Sequence, residues 1–185
     1  MFSSMEHESF YNSGQYWIED MGFHKRKGNV MLNQTWPKNP HIKNTKFSNL
    51  YIFFLRKKWR FPKKVLGLLA GCDISCPVPE RLYMPHPFGI VADTCCKIGN
   101  DVVLLQHVTL GGLHPYHRSE RTDPEKVDPI LKDGVYVGPG AKILGNITIG
   151  EWSIIGANAV ITTDVPPYSI AVGHNKILKK KATDL

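Results

Sequence analysis

Aliphatic side chains recur at every sixth position through the second half of the chain: Leu131, Val137, Ile143, Ile149, Ile155 and Ile161. Four residues after each stands Val135, Ala141, Ile147, Ser153, Ala159 or Val165, all small or β-branched. The same phase runs earlier through Ile98, Leu104 and Leu110, with Val102 and Val108 at the secondary positions. An α-helix has period 3.6 and cannot hold a strict six on one face, and a hairpin sheet predicts period two broken by turns. Period six predicts a triangular prism. Each hexad is a short strand and a corner, three hexads make one coil, and the aliphatic points inward. Glycine follows the aliphatic at Gly99, Gly111, Gly138, Gly150 and Gly156 and is expected to serve the tight corners.

The period fails between Leu110 and Leu131, where His114 to Pro124 is polar and lacks aliphatics. This segment reads as a loop thrown out from a corner, and loops on a rigid scaffold concentrate function. Pro166-Pro167 is expected to stop the prism. Ahead of it, Phe47 to about Leu69 reads as an amphipathic helix with a cationic face, kinked or split by Pro62. The chain thus divides into a mostly helical segment at 1–70, a β-helix of about four coils at 71–170 with an excursion loop at 111–129, and a basic tail at 171–185.

Charge adds one choice to this picture. The balance of 23 basic against 16 acidic residues gives +7, which favours anionic partners: nucleic acid, lipid headgroups or a phosphate-bearing cofactor. No helix-turn-helix, zinc finger or RNA-binding signature accompanies the basic cluster, so nucleic acid is not expected. Solvation is the first reading of the cationic helix, and peripheral contact with a membrane surface is the second. The beginning is polar and acidic, without a signal-peptide pattern, and the apolar run Leu50 to Leu55 is far short of the ~20 residues a span needs. Cys72, Cys76, Cys95 and Cys96 read as reduced thiols of a cytoplasmic protein, one that could work at the inner face of the membrane.

The pattern resembles the hexapeptide-repeat acyltransferases with a left-handed parallel β-helix. Within them it is most similar to serine acetyltransferases and the O-acetyltransferases of bacterial polysaccharide synthesis. The carrying segments are His86-Pro87-Phe88-Gly89-Ile90-Val91, Ile98-Gly99-Asn100-Asp101-Val102, Val108-Thr109-Leu110-Gly111-Gly112, Gly138 to Ile147 and Ile155-Gly156-Ala157. The resemblance implies that His86, just before a Gly-Ile-Val stretch, is the general base. It also implies contacts to acetyl-CoA at Gly111, Gly112, Pro139, Ala157 and Lys176. Two positions depart from the serine acetyltransferase pattern. Pro85 replaces the Asp before the base, and Asp128 before Pro129 replaces a second histidine. The loop pair His114-Pro115 is similar to the catalytic His-Pro of galactoside and maltose acetyltransferases. These differences move the expected acceptor to a hydroxyl of a sugar or polysaccharide precursor, with serine as the alternative. The related enzymes also imply a homotrimer with sites at subunit boundaries.

Transfer of an acetyl group from a thioester to a hydroxyl needs a base for the hydroxyl proton and a donor for the developing oxyanion. A neutral imidazole suits the first task, and corner N–H groups at Gly111 or Gly112 suit the second. A protein nucleophile is not required, so the cysteines are expected to be structural. The catalytic candidates are His86, His114 and Asp128, with no metal. His107, His114 and His117 lack the spacing of a γ-carbonic-anhydrase zinc site. An N-acyltransferase and a non-catalytic assembly subunit complete the alternatives.

Overall fold

The computed structural model describes residues 42–57, 59–112 and 128–179. Two helices, α1 (Lys46–Lys57) and α2 (Arg60–Ala70), lead into fourteen short strands. In chain order these are β1 (Asp73–Ile74), β2 (Leu82–Tyr83), β3 (Val91–Ala92), β4 (Lys97–Ile98), β5 (Val102–Leu104), β6 (Thr109–Gly111) and β7 (Ile130–Leu131), then β8 (Tyr136–Val137), β9 (Lys142–Leu144), β10 (Thr148–Ile149), β11 (Ile154–Ile155), β12 (Val160–Ile161), β13 (Ser169–Val172) and β14 (Lys176–Lys179).

The strands stack in three parallel ladders, the three faces of a prism. Face one runs β1-β3-β6-β9-β12, face two β2-β5-β8-β11-β13 with β14 added, and face three β4-β7-β10. The chain visits face one, then three, then two, and repeats. On face one, Ile74, Ala92 and Leu110 pair at steps of 18 residues, three hexads to a coil. The step from Leu110 to Ile143 is 33, so fifteen residues leave and return without disturbing the register. Every aliphatic named at the late hexad positions is fully enclosed: Leu131, Val137, Ile143, Ile149, Ile155 and Ile161 are at most 1% exposed. Burying such a side chain contributes about 1.5–3 kcal/mol, so this inward column is the main source of stability.

The corners differ from the expectation in kind. Gly99, Gly138 and Gly150 do not have positive φ. They are glycines because successive coils approach closely: a Cβ at Gly138 would sit 2.7 Å from the Ala157 nitrogen, and one at Gly150 2.3 Å from that of Pro167. The left-handed positions fall two residues later and stack in columns. One column is Gly71, Gly89, His107, Gly140, Asn158 and Asn175; another is Asp101, Gly134, Trp152 and Tyr168.

Three further expectations change. The helical segment breaks ahead of Pro62, at an extended Trp59 (φ −74°, ψ 107°). Pro62 lies in the first turn of α2, where its missing N–H costs nothing, so it starts a helix rather than kinks one. Pro166-Pro167 does not end the prism, because β13 adds a further strand to face two. The segment expected as a basic tail from 171 begins inside β13 and folds back as β14, antiparallel to it, with Gly173 and Asn175 left-handed between them. At the loop, Gly111 belongs to β6, and the described chain resumes at Asp128.

Candidate active site

His86 stands on the edge between faces two and one, beside Gly89, the second position of the first left-handed column. Elsewhere on this edge six residues carry the chain from one inward position to the next, as from Leu104 to Leu110. In the first coil eight separate Met84 from Ala92, and the two additional residues lie in the corner that holds His86. Pro85 and Pro87 on either side are buried while His86 is exposed, so the prolines anchor a turn that presents the imidazole to solvent. The Phe88 N–H donates to the His86 carbonyl at 2.9 Å, and Gly89, at φ +63°, returns the chain to β3.

One coil below, the His107 N–H donates to the Phe88 carbonyl at 2.8 Å. Its imidazole covers Gly89 so closely that a Cβ there would lie 2.3 Å from His107 Nδ1. Lys142 Nζ donates to the His107 carbonyl at 2.8 Å. His107 thus neighbours the His86 corner, a place that sequence spacing alone does not reveal because its left-handed backbone favours glycine or Asn. Further down the same edge come Pro139-Gly140, Ala157-Asn158 and His174-Asn175, tied by the Asn158 N–H to the Pro139 carbonyl and the Asn175 N–H to the Val160 carbonyl. Lys176 opens β14 beside them and is exposed.

Gly111, Gly112 and Asp128 stand elsewhere, on the edge between faces one and three. Gly111 lies in the ladder opposite Leu144, and its carbonyl accepts the Gly145 N–H at 2.8 Å. Gly112 lies beyond the strand and is exposed. A Cβ on Gly112 would lie 3.4 Å from Asp128 Oδ1, so the two ends of the excursion touch. Asp128 is 1% exposed. Cys76 and Cys96 lie close by. Burial pushes the Cys76 thiol up to about 11, a small effect of Lys63 opposing and the carboxylates of Asp93 and Asp128 adding to it. Burial raises Cys96 too, with Cys76 and Asp128 contributing. Both thiols are therefore protonated at neutral pH, poor nucleophiles, and packed in the core.

The candidate residues thus fall on two edges of one prism. Face one separates them, and a face of about six residues at ~3.3 Å each spans roughly 20 Å. Asp128 does not reach His86 within a chain, which removes it as an intrachain partner of that imidazole. His114 and His117 of the loop, and His7, His24 and His41, lie outside the described residues.

The bacterial transferase hexapeptide family (six repeats) matches residues 128–163. A serine acetyltransferase of Bacillus subtilis is 41% identical over 116 residues, covering 62% of this chain and 50% of that protein. Among solved structures, soybean serine acetyltransferase complexed with serine superposes with a TM-score of 0.53 at 33% identity, covering 69% of this chain and 53% of that one. A serine acetyltransferase complex with CoA gives 0.50 at 32% identity, covering 66% and 52%. The chain spans about half the length of the curated relatives it matches. None of these three is named for a saccharide acceptor, so the expected sugar hydroxyl draws no support from them, and the serine alternative does.

Proposed function

Because this chain belongs to the bacterial hexapeptide-repeat transferases, built as a left-handed parallel β-helix, we propose that it is an acetyl-CoA-dependent O-acetyltransferase acting on the hydroxyl of L-serine. The observation that carries the reading is the likeness to serine acetyltransferases, at 33% identity and a TM-score of 0.53 for the serine complex, in a chain that presents His86 at an exposed corner.

Acetyl-CoA supplies an activated acyl group, and its shape matches one edge of the prism. From the His86 corner to Asn175 are four coil steps, ~19 Å at about 4.8 Å each. A long molecule with a thioester at one end and phosphates at the other can lie along that edge. Its reactive end would sit near His86 and its phosphates near Lys176. Pro139 has no N–H to offer, so its part is contact and its carbonyl is already engaged by Asn158.

In this reading His86 takes the acceptor hydroxyl proton as the oxygen attacks. The Gly112 N–H faces the oxyanion, and the enclosed Asp128, packed against Gly112, holds the corner that presents it. These groups meet only if the His86 edge of one copy faces the Gly112–Asp128 edge of another. A three-fold ring of identical contacts provides that, so the working unit is a homotrimer. Thiol release measured with L-serine against a panel of saccharides and amines tests the acceptor. Turnover only with a saccharide would replace serine. Mixing inactive His86→Ala and Asp128→Asn chains tests the assembly: a site shared between copies regains about a quarter of wild-type activity on statistical reassortment. A site within one chain regains none.

A further inference from the structure

We infer that the outward face of α2, with the basic residues around it, is a docking surface for an anionic lipid bilayer. The helix is amphipathic in the inverse sense. Its inward residues are small, Gly67 and Ala70, both buried. A Cβ on Gly67 would lie 2.9 Å from the Cys72 carbonyl and 3.2 Å from Tyr51 Oη, so the helix is pressed against its support. Its large apolar side chains point the other way: Phe61 is 80% exposed, Leu68 84% and Leu69 69%. Phe61, Val65 and Leu68 are spaced four and three residues apart and share one face, with Arg60 and Lys64 at its border. Trp59 at the start of the helix is 57% exposed. On α1, Leu50 and Phe53 are exposed as well, and Lys57 Nζ lies 5.9 Å from the Phe53 ring centre.

Charge identifies the occupant. Residues 46–70 hold seven of the 23 basic side chains and none of the 16 acidic ones, so the remainder of the chain balances at 16 and 16. The whole net charge of +7 is confined to the two helices and their junction. A second copy of the same face would bring cation against cation. The segment 1–41 carries four acids and four bases and has no net charge to offer. A sheet of anionic headgroups over hydrocarbon matches both properties: lysines and arginines meet phosphates while Phe, Trp and Leu enter the acyl boundary. No helix among the described residues is long and apolar enough to cross a membrane, so α2 would lie in the interface.

The test is cosedimentation of the full chain with phosphatidylcholine vesicles, with and without phosphatidylglycerol, at low and high salt. The expected result is binding that requires phosphatidylglycerol, weakens with salt, and falls at least tenfold in Phe61→Ser/Leu68→Ser and in Arg60→Glu/Lys64→Glu, with acetyl transfer in solution unchanged. Failure to bind at low salt overturns the proposal. So does equal binding by Phe61→Ser/Leu68→Ser, which would reduce the surface to bare charge. A drop in oligomeric state of that variant without vesicle binding would assign the face to a second copy instead.

Discussion

Along one edge of the prism the left-handed positions are filled by Gly71, Gly89, His107, Gly140, Asn158 and Asn175; along another, by Asp101, Gly134, Trp152 and Tyr168. The backbone demand is the same in both columns. The residues that meet it are not. The first set is small or polar, with His107 lying on Gly89 and Asn158 on Gly140. The second closes over itself: the Trp152 ring lies on Gly134, and Asp101 accepts two bonds of 2.9 Å from the Arg81 guanidinium. A left-handed non-glycine residue costs roughly 1–2 kcal/mol, less for Asn and Asp. The coil tolerates that cost on both edges, where a side chain of one coil packs on the glycine of the coil before it: His107 on Gly89 on the first, Trp152 on Gly134 on the second. On the first the packing groups are an imidazole and amides; on the second they are an indole and an ion pair.

The largest separation between the two edges should come from His86→Ala. We expect kcat to fall at least a hundredfold, within the ~10²–10⁴ range for a lost general base, with the melting temperature and CoA affinity unchanged. A His114→Ala loss larger than this would move the chemistry to the loop. The converse variant is Gly134→Ala, where φ is +69° and the new Cβ would lie 2.4 Å from the Trp152 ring. It should cost ~1–3 kcal/mol of stability, read in thermal melts, and leave kcat unaltered below the transition. If Gly134→Ala instead lowers kcat while the protein stays folded, the second edge is not merely structural.

The third edge gives a smaller, pH-dependent effect. Burial pushes the Cys76 thiol up to about 11, above the ordinary thiol value near 9. Below pH 9 the thiol is protonated in both states and its contribution is complete. Between pH 9 and 11 the unfolded chain releases its proton first, so the melting temperature should fall there, and fall less in Cys76→Ala. The smallest effect is expected at the far end of the first edge. Lys176→Glu should raise KM for acetyl-CoA several-fold, less at high salt, with kcat preserved. No change at low salt would take the phosphates away from β14.

The sequence displays the inward column because enclosure in a narrow prism admits only aliphatics, and their spacing survives every change of surface. Asp101, His107, Trp152 and Tyr168 hide the corners, since nothing in their side chains announces a left-handed backbone. Pro62 and Pro166-Pro167 mislead for a related reason: proline breaks a helix interior or a central ladder, yet each lies where no N–H is required. His86 stands out through resemblance, not through any local physical signal. That it and Asp128 occupy different edges follows only from counting strands around the coil, which the fifteen-residue excursion obscures.

That excursion has a consequence for how such a protein can change. Leu110 and Ile143 pair in the register they would keep if the residues between Gly112 and Asp128 were removed and the ends joined, because the chain departs and returns at the same corner. Doubling the length of a flexible loop costs only about 0.6 kcal/mol in closure entropy. The segment is therefore an interchangeable cassette. Its length can change without shifting the register of the coils on either side.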